Sequence, residues 1–190
     1  RYQDKASVFR ASIPLGAPVD NLPAEINFVD RFIFAKWKQV GMPPSEVAGD
    51  STYLRRVTLD IAGRLPTVAE AESFLEDAAP DKRQRLVERL LRSEEHAEYF
   101  ANKWSSLLRN KRANGAQLRT TIAFYDWIKE SFYTNKPYDR FVREIVAASG
   151  DIDQSPPSAW FKQVSSQQAQ MEDTAQLFLG TRLQCAQCHH

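Results

Sequence analysis

Pro80-Asp81-Lys82-Arg83-Gln84-Arg85-Leu86-Val87-Glu88-Arg89-Leu90-Leu91 is the stretch whose reading decides the fold class. Leu86, Val87, Leu90 and Leu91 recur at the spacing of one helix face, and Lys82, Arg83, Arg85, Glu88 and Arg89 occupy the other. Pro80-Asp81 opens the helix, and Ser93 just beyond it is placed to cap the next. Upstream, Thr67-Val68-Ala69-Glu70 has the spacing of a capping box, which opens a short helix ending near Leu75.

The same punctuation extends in both directions. Asp50 or Ser51 caps a helix to about Ile61, stopped by Gly63 and Pro66. Before it, a helix opens around Leu22-Pro23 with Asp20 or Asn21 as cap, carries the stripe Phe28, Val29, Phe32, Ile33, Trp37 and Val40, and ends at Gly41. That stripe is expected to face the core. Downstream, a helix over about 94–110 turns Ala97, Phe100, Trp104, Leu107 and Leu108 inward. It ends in cations that complement the negative end of its dipole. Asn114-Gly115 leads to a helix over 118–132 with Phe124, Trp127, Ile128 and Phe132 packed, and Asp139 caps one carrying Phe141, Val142, Ile145 and Val146. Ser149 to Ser158 reads as a long loop. After a short segment at Trp160-Phe161, a last helix over about 168–179 turns Met171, Ala175, Phe178 and Leu179 inward and is closed by Gly180.

The fold class is therefore all-α, an irregular bundle of about seven or eight helices with Cys185-Ala186-Gln187-Cys188-His189 following the last. Residues 1–20, with Pro14, Gly16 and Pro18, form an extended arm, and 21–190 a single helical domain. The 190 residues, 43% hydrophobic and 11% aromatic, suffice for a core. Only 7 glycines, with many Leu, Ala, Glu, Arg and Gln, agree with helix. Twenty-five Lys and Arg against 24 Asp and Glu leave +1, which provides no field to recruit nucleic acid or an acidic membrane surface. No run approaches the roughly 18 apolar residues of a membrane span. The start at Arg1 without Met suggests a processed or excised piece.

Chemistry concentrates in the last residues. Two thiols separated as in C-x-x-C with an adjacent His form the pattern of covalent c-type haem attachment, with Cys185 and Cys188 as thioether partners and His189 as proximal iron ligand. With no other cysteine, a disulfide framework is excluded; a free or locally oxidised pair stays open, as does a zinc site using both thiolates with His189 or His190. Met171, His96 and Met42 are the other Met and His residues that could supply a distal ligand. By pattern alone Met171 is a core residue and His96 a solvated one. Arg109, Lys111, Arg112 and Arg119 form a basic cluster that reads as a solvated helix end. Asp139 reads as a cap, and Asp60 and Asp126 as partners for arginines. No nucleophile motif, phosphate loop or dinucleotide fingerprint is present, so no catalytic residue is assigned.

Several runs in order carry a family resemblance: Leu54-Arg55-Arg56-Val57-Thr58-Leu59-Asp60-Ile61-Ala62-Gly63-Arg64-Leu65-Pro66-Thr67, Tyr125-Asp126-Trp127-Ile128, Asn135-Lys136-Pro137-Tyr138-Asp139-Arg140-Phe141-Val142-Arg143-Glu144, and Leu177-Phe178-Leu179-Gly180-Thr181-Arg182-Leu183-Gln184-Cys185-Ala186-Gln187-Cys188-His189. Together they resemble the planctomycete cytochrome-c-associated domain family, a domain of unknown function found in large exported proteins. The resemblance implies a helical module of an extracytoplasmic protein whose partners are adjacent domains or a redox partner. A c-type cytochrome-like electron carrier and a non-catalytic scaffold are the two functional expectations that follow.

Overall fold

The computed structural model describes residues 11–111, 118–164 and 166–187, with backbone only for Gln163, Cys185 and Gln187. The expected Asn114-Gly115 loop, Arg112, Cys188, His189 and His190 lie outside the described residues. The chain divides into two compact units, residues 1–48 and 49–190.

In the first unit, α1 spans Phe28–Val40. Its start lies beyond the expected Leu22-Pro23 because Asn27 and Asp30 form a complete capping box. Asn27 Oδ1 accepts from the Val29 amide at 2.8 Å, and Asp30 Oδ2 accepts from the Asn27 amide at 3.0 Å. Gly41 ends the helix at φ 63, and the arm returns to it, the Leu15 amide donating to the Val40 carbonyl at 2.7 Å. The expected core stripe is not buried: Phe28 and Phe32 are 73% and 62% exposed. A unit with one helix among its described residues offers no second apolar layer to cover it.

The second unit opens with α2 (Asp50–Ala62), α3 (Val68–Glu76) and α4 (Lys82–Leu91). Leu54, Ala62, Phe74, Leu86 and Leu90 form their core, the α4 stripe entering through Leu86 and Leu90 while Leu91 stays exposed. Asp50 does not cap α2, whose N-cap is Gly49. It joins α2 to α4 instead, accepting from Lys82 and Arg83 at 2.7 Å each. These two cations, Lys82 foremost, hold its carboxyl below the usual carboxylate range. Gly63 ends α2 at φ 70, where a Cβ would stand 2.2 Å from Tyr99 Cδ2.

Next come α5 (Glu94–Leu107), α6 (Leu118–Tyr133), α7 (Tyr138–Val146), α8 (Ala159–Gln163) and α9 (Gln167–Phe178). Their core contains Ala101, Leu108, Phe124, Ile128, Phe141, Ile145 and Trp160. Ser93 caps α5 as expected, accepting from the His96 amide. The helix stops at Leu107 rather than Asn110, with Arg109 in the left-handed region at φ 55, and Leu107 faces outward. Asp139 is no cap; Pro137 occupies that position and Asp139 sits exposed in the first turn of α7. Within the expected loop, Pro156–Ser158 form a 3-10 turn that leads into α8. The all-α class is borne out: nine α-helices and no strand occur among the described residues, and none of the helices is long and apolar enough to cross a membrane.

The capping box at Thr67 is formed, Glu70 also taking both terminal nitrogens of Arg64 at 2.8 Å. Arg64, then the Thr67 amide, lowers the Glu70 carboxyl from 4.5 to about 2 against the opposing effect of burial. A depressed folded-state pKa stabilises above the unfolded value and is lost as pH falls from about 4.5 toward 2. Glu70→Gln is expected to remove about 1 kcal/mol of stability at neutral pH, after allowance for solvent screening, and nothing near pH 2, as read by urea titrations at both pH values. Gly63→Ala meets both a left-handed backbone and the Tyr99 ring. It is expected to cost about 2–4 kcal/mol in the same assay.

Candidate functional site

The route to the thiol motif begins at α9. Ser166 starts this helix by accepting from the Ala169 amide at 3.1 Å. At the other end the Leu179 and Thr181 amides donate to the Ala175 carbonyl, and Gly180 at φ 66 reverses the chain. The polypeptide then runs into a 3-10 turn over Gln184–Gln187, where Gln184 Nε2 meets Gln176 Oε1 of α9 at 3.3 Å. The backbone of Cys185 lies in this turn. Among the described residues no group of three His, Cys, Asp or Glu side chains could hold a metal ion.

Beside the end of α9 lies a cleft of about 540 Å³. Val142, Val146 and Tyr138 of α7 line one side, and Thr174, Phe178 and Leu179 the other, with Asp139 and Arg143 contributing charge. Its apolar wall exists because α7 buries Phe141 and Ile145 and leaves Val142 and Val146 on the adjoining face. The volume falls within the range of small-molecule and cofactor sites, roughly 300–1,000 Å³.

The candidate ligands sort differently from their sequence readings. Met171, expected inside, is 58% exposed. The buried residues of α9 are Asp173 and Ala175; apolar side chains lie all around this helix, so its sequence alone does not single out the inner face. Met171 shares a face with Thr174 and Phe178 by helical spacing. His96, expected in solvent, is half-buried: its Nδ1 lies 3.0 Å from the Ile61 carbonyl, and its ring packs on Phe100 with centroids 4.7 Å apart. Met42 is exposed in the first unit.

The basic cluster is drawn apart into separate pairs, Arg109 with Asp173 and Arg119 with Asp153. Asp60 and Asp126 form no ion pair with an arginine among the described residues. Asp126 instead stands with Glu94, Lys129 and Glu130 around a surface hollow. The pair Arg109–Asp173 is what sequence reasoning missed, since a single Asp inside a helix carries no signal of burial. Asp173 is 6% exposed; Oδ1 accepts from Arg109 Nη2 at 2.8 Å, while the buried Oδ2 has no hydrogen-bond partner among the described residues.

Arg109→Ala strands that carboxylate and retains a left-handed backbone, so it is expected to cost about 2–3 kcal/mol in chemical denaturation. Arg109→Gly, which relieves the backbone, should cost about 1 kcal/mol less. Asp173→Asn added to either should recover part of the loss.

The family model described as PSCyt2, protein of unknown function (DUF1549), matches residues 28–190. Neither a curated protein nor a solved structure matches the chain. The match takes in α1, every helix of the second unit and the thiol segment, and on that extent the chain belongs to the PSCyt2 family, whose function is unknown.

Proposed function

We propose that this chain is a c-type cytochrome-like module of a larger extracytoplasmic protein, with haem c bound through thioethers to Cys185 and Cys188 and through His189 to its iron. The observation that carries the reading is the C-x-x-C-H spacing shortly after α9, whose last turn contributes Phe178 and Leu179 to the apolar cleft with α7. Bound there, haem supplies a one-electron couple.

The chain's own residues suit such a group. Val142, Val146, Phe178 and Leu179 offer apolar surface to a flat macrocycle, and Arg143 offers a cation for its acidic edge. Met171 presents an exposed thioether on the Thr174 and Phe178 side of α9, which supports it as distal ligand over Met42. Covalent attachment after export fits an extracytoplasmic location, with adjacent domains or a redox partner receiving the electron.

A second reading, a non-catalytic scaffold with the motif empty or holding zinc, is favoured by the filled interior of the second unit. Its aromatic rings pack on one another, and the hollow between α5, α6 and α7 is about 140 Å³, far below a macrocycle's needs.

Expression with export and haem-maturation machinery separates the two. After denaturation, visible haem absorbance is expected to stay with the polypeptide and to vanish in Cys185→Ala/Cys188→Ala; in the native protein, Met171→Ala is expected to remove the distal-ligand signature. A colourless product carrying stoichiometric zinc, or no metal, would establish the scaffold reading instead.

A further inference from the structure

α1 carries more apolar surface than its own unit covers. None of its 13 residues is fully buried, and its half-buried side is marked by Asp30, Phe34 and Trp37. Ile26, Phe28, Val29, Phe32 and Ile33 are all exposed, the last four at the i, i+1, i+4 and i+5 spacing of one helix face. An apolar patch left in water marks a contact with a protein or a membrane.

The charges beside this face decide between the two. Arg31 and Lys38, about two turns apart, run along one edge, and Lys36 continues the face one turn beyond Phe32. All three are exposed, and none forms an ion pair among the described residues. Arg31 lies over the Phe32 ring at 5.3 Å, and Lys36 Nζ donates to Gln39 Oε1 at 3.2 Å. The one carboxylate of α1, Asp30, accepts from the Ile26 and Asn27 amides at 2.7 and 3.0 Å. Every exposed charge on the helix is thus a cation. Glu25 is the exposed carboxylate just before the cap, while Asp20 and Glu46 line a cleft around Trp37, on a different face.

We infer that α1 docks on an anionic phospholipid surface, lying along the interface with Phe28, Val29, Phe32 and Ile33 below the headgroups and Arg31, Lys36 and Lys38 at the level of the phosphates. Interfacial helices combine aromatic and aliphatic residues on one side with Lys and Arg on the other. Lys36 fits such a contact because a lysine stem covers apolar surface while its ammonium reaches the headgroups. A second copy of the chain is a poorer cover, since an isologous contact through α1 brings two sets of three cations together against two Glu25 carboxylates. The overall charge of +1 supplies no long-range attraction, so docking rests on this helix and does not require haem.

Cosedimentation of the full chain with sucrose-loaded vesicles tests the contact. Vesicles of equal parts phosphatidylglycerol and phosphatidylcholine are expected to bind about tenfold tighter or more than pure phosphatidylcholine, and the affinity should fall as salt is raised. Lys36→Gln and Lys38→Gln should each weaken binding about fivefold. Phe28→Ser/Phe32→Ser, at two exposed positions, should abolish it with the helical circular dichroism unchanged. If that double variant loses helix, the lysine variants and the lipid comparison decide alone. Equal binding to both vesicles, binding to neither, or lysine variants that bind like the parent chain would overturn the inference. So would a concentration-dependent dimer in analytical ultracentrifugation that Phe28→Ser/Phe32→Ser dissolves, which would assign the face to a second copy.

Discussion

Phe141 lies between two tryptophans. Its ring stacks on Trp127 with centroids 5.0 Å apart and meets Trp104 edge-on at 5.2 Å, so one side chain of α7 fastens that helix to α5 and α6 together. Phe124 and Phe132 extend the block to either side. Aromatic pairs in offset and edge geometries add to the free energy of burial and fix mutual orientation, which aliphatic contacts do not. The hollows beside α7 take their placement from this block. With Phe141 and Ile145 turned inward, Val142 and Val146 are left to form the wall of the α7–α9 cleft, and Tyr138 is left at the edge of the small hollow beside His96.

Around this centre, charge is used chiefly to join elements. Asp50 ties α2 to α4 through two cations, Lys129 of α6 reaches Glu94 and Glu98 of α5, and Arg109 reaches Asp173 of α9. Exposed ion pairs of this kind each stabilise weakly, so their effect is to select register more than to hold the fold. Arg109–Asp173 differs because its carboxylate is buried. It fixes the helix that leads to the thiol motif, and it requires a left-handed residue just past the end of α5. That backbone strain is the kind of cost retained where the surrounding structure over-determines a position.

The haem reading depends on how α9 ends. Gly180 permits the reversal that a residue with a Cβ would resist, and the Ala175 carbonyl receives two amides there. The thiol segment therefore departs from a defined point next to an apolar cleft. The aromatic block lies apart from that cleft, so a cofactor at the motif and a passive scaffold draw on different parts of the molecule.

Local chemistry was legible in the chain itself. Thr67 with Glu70, Ser93, Gly41 and Gly63 mark helix ends because caps act within a few residues, and the stripe Leu86, Val87, Leu90 and Leu91 marks the side of α4 through which Leu86 and Leu90 are buried. The all-α class followed from such signals, and so did the thiol pattern, whose meaning lies in its spacing. Only the tertiary structure decided what each face meets. Phe28 and Phe32 form as good a stripe as Leu86 and Leu90, yet they stay exposed for want of a second layer; Met171 is turned out, and Asp173 turned in. Sequence periodicity states that a face exists, but which face is covered depends on residues far away in the chain: His96 finding the Ile61 carbonyl, and Arg109 finding Asp173.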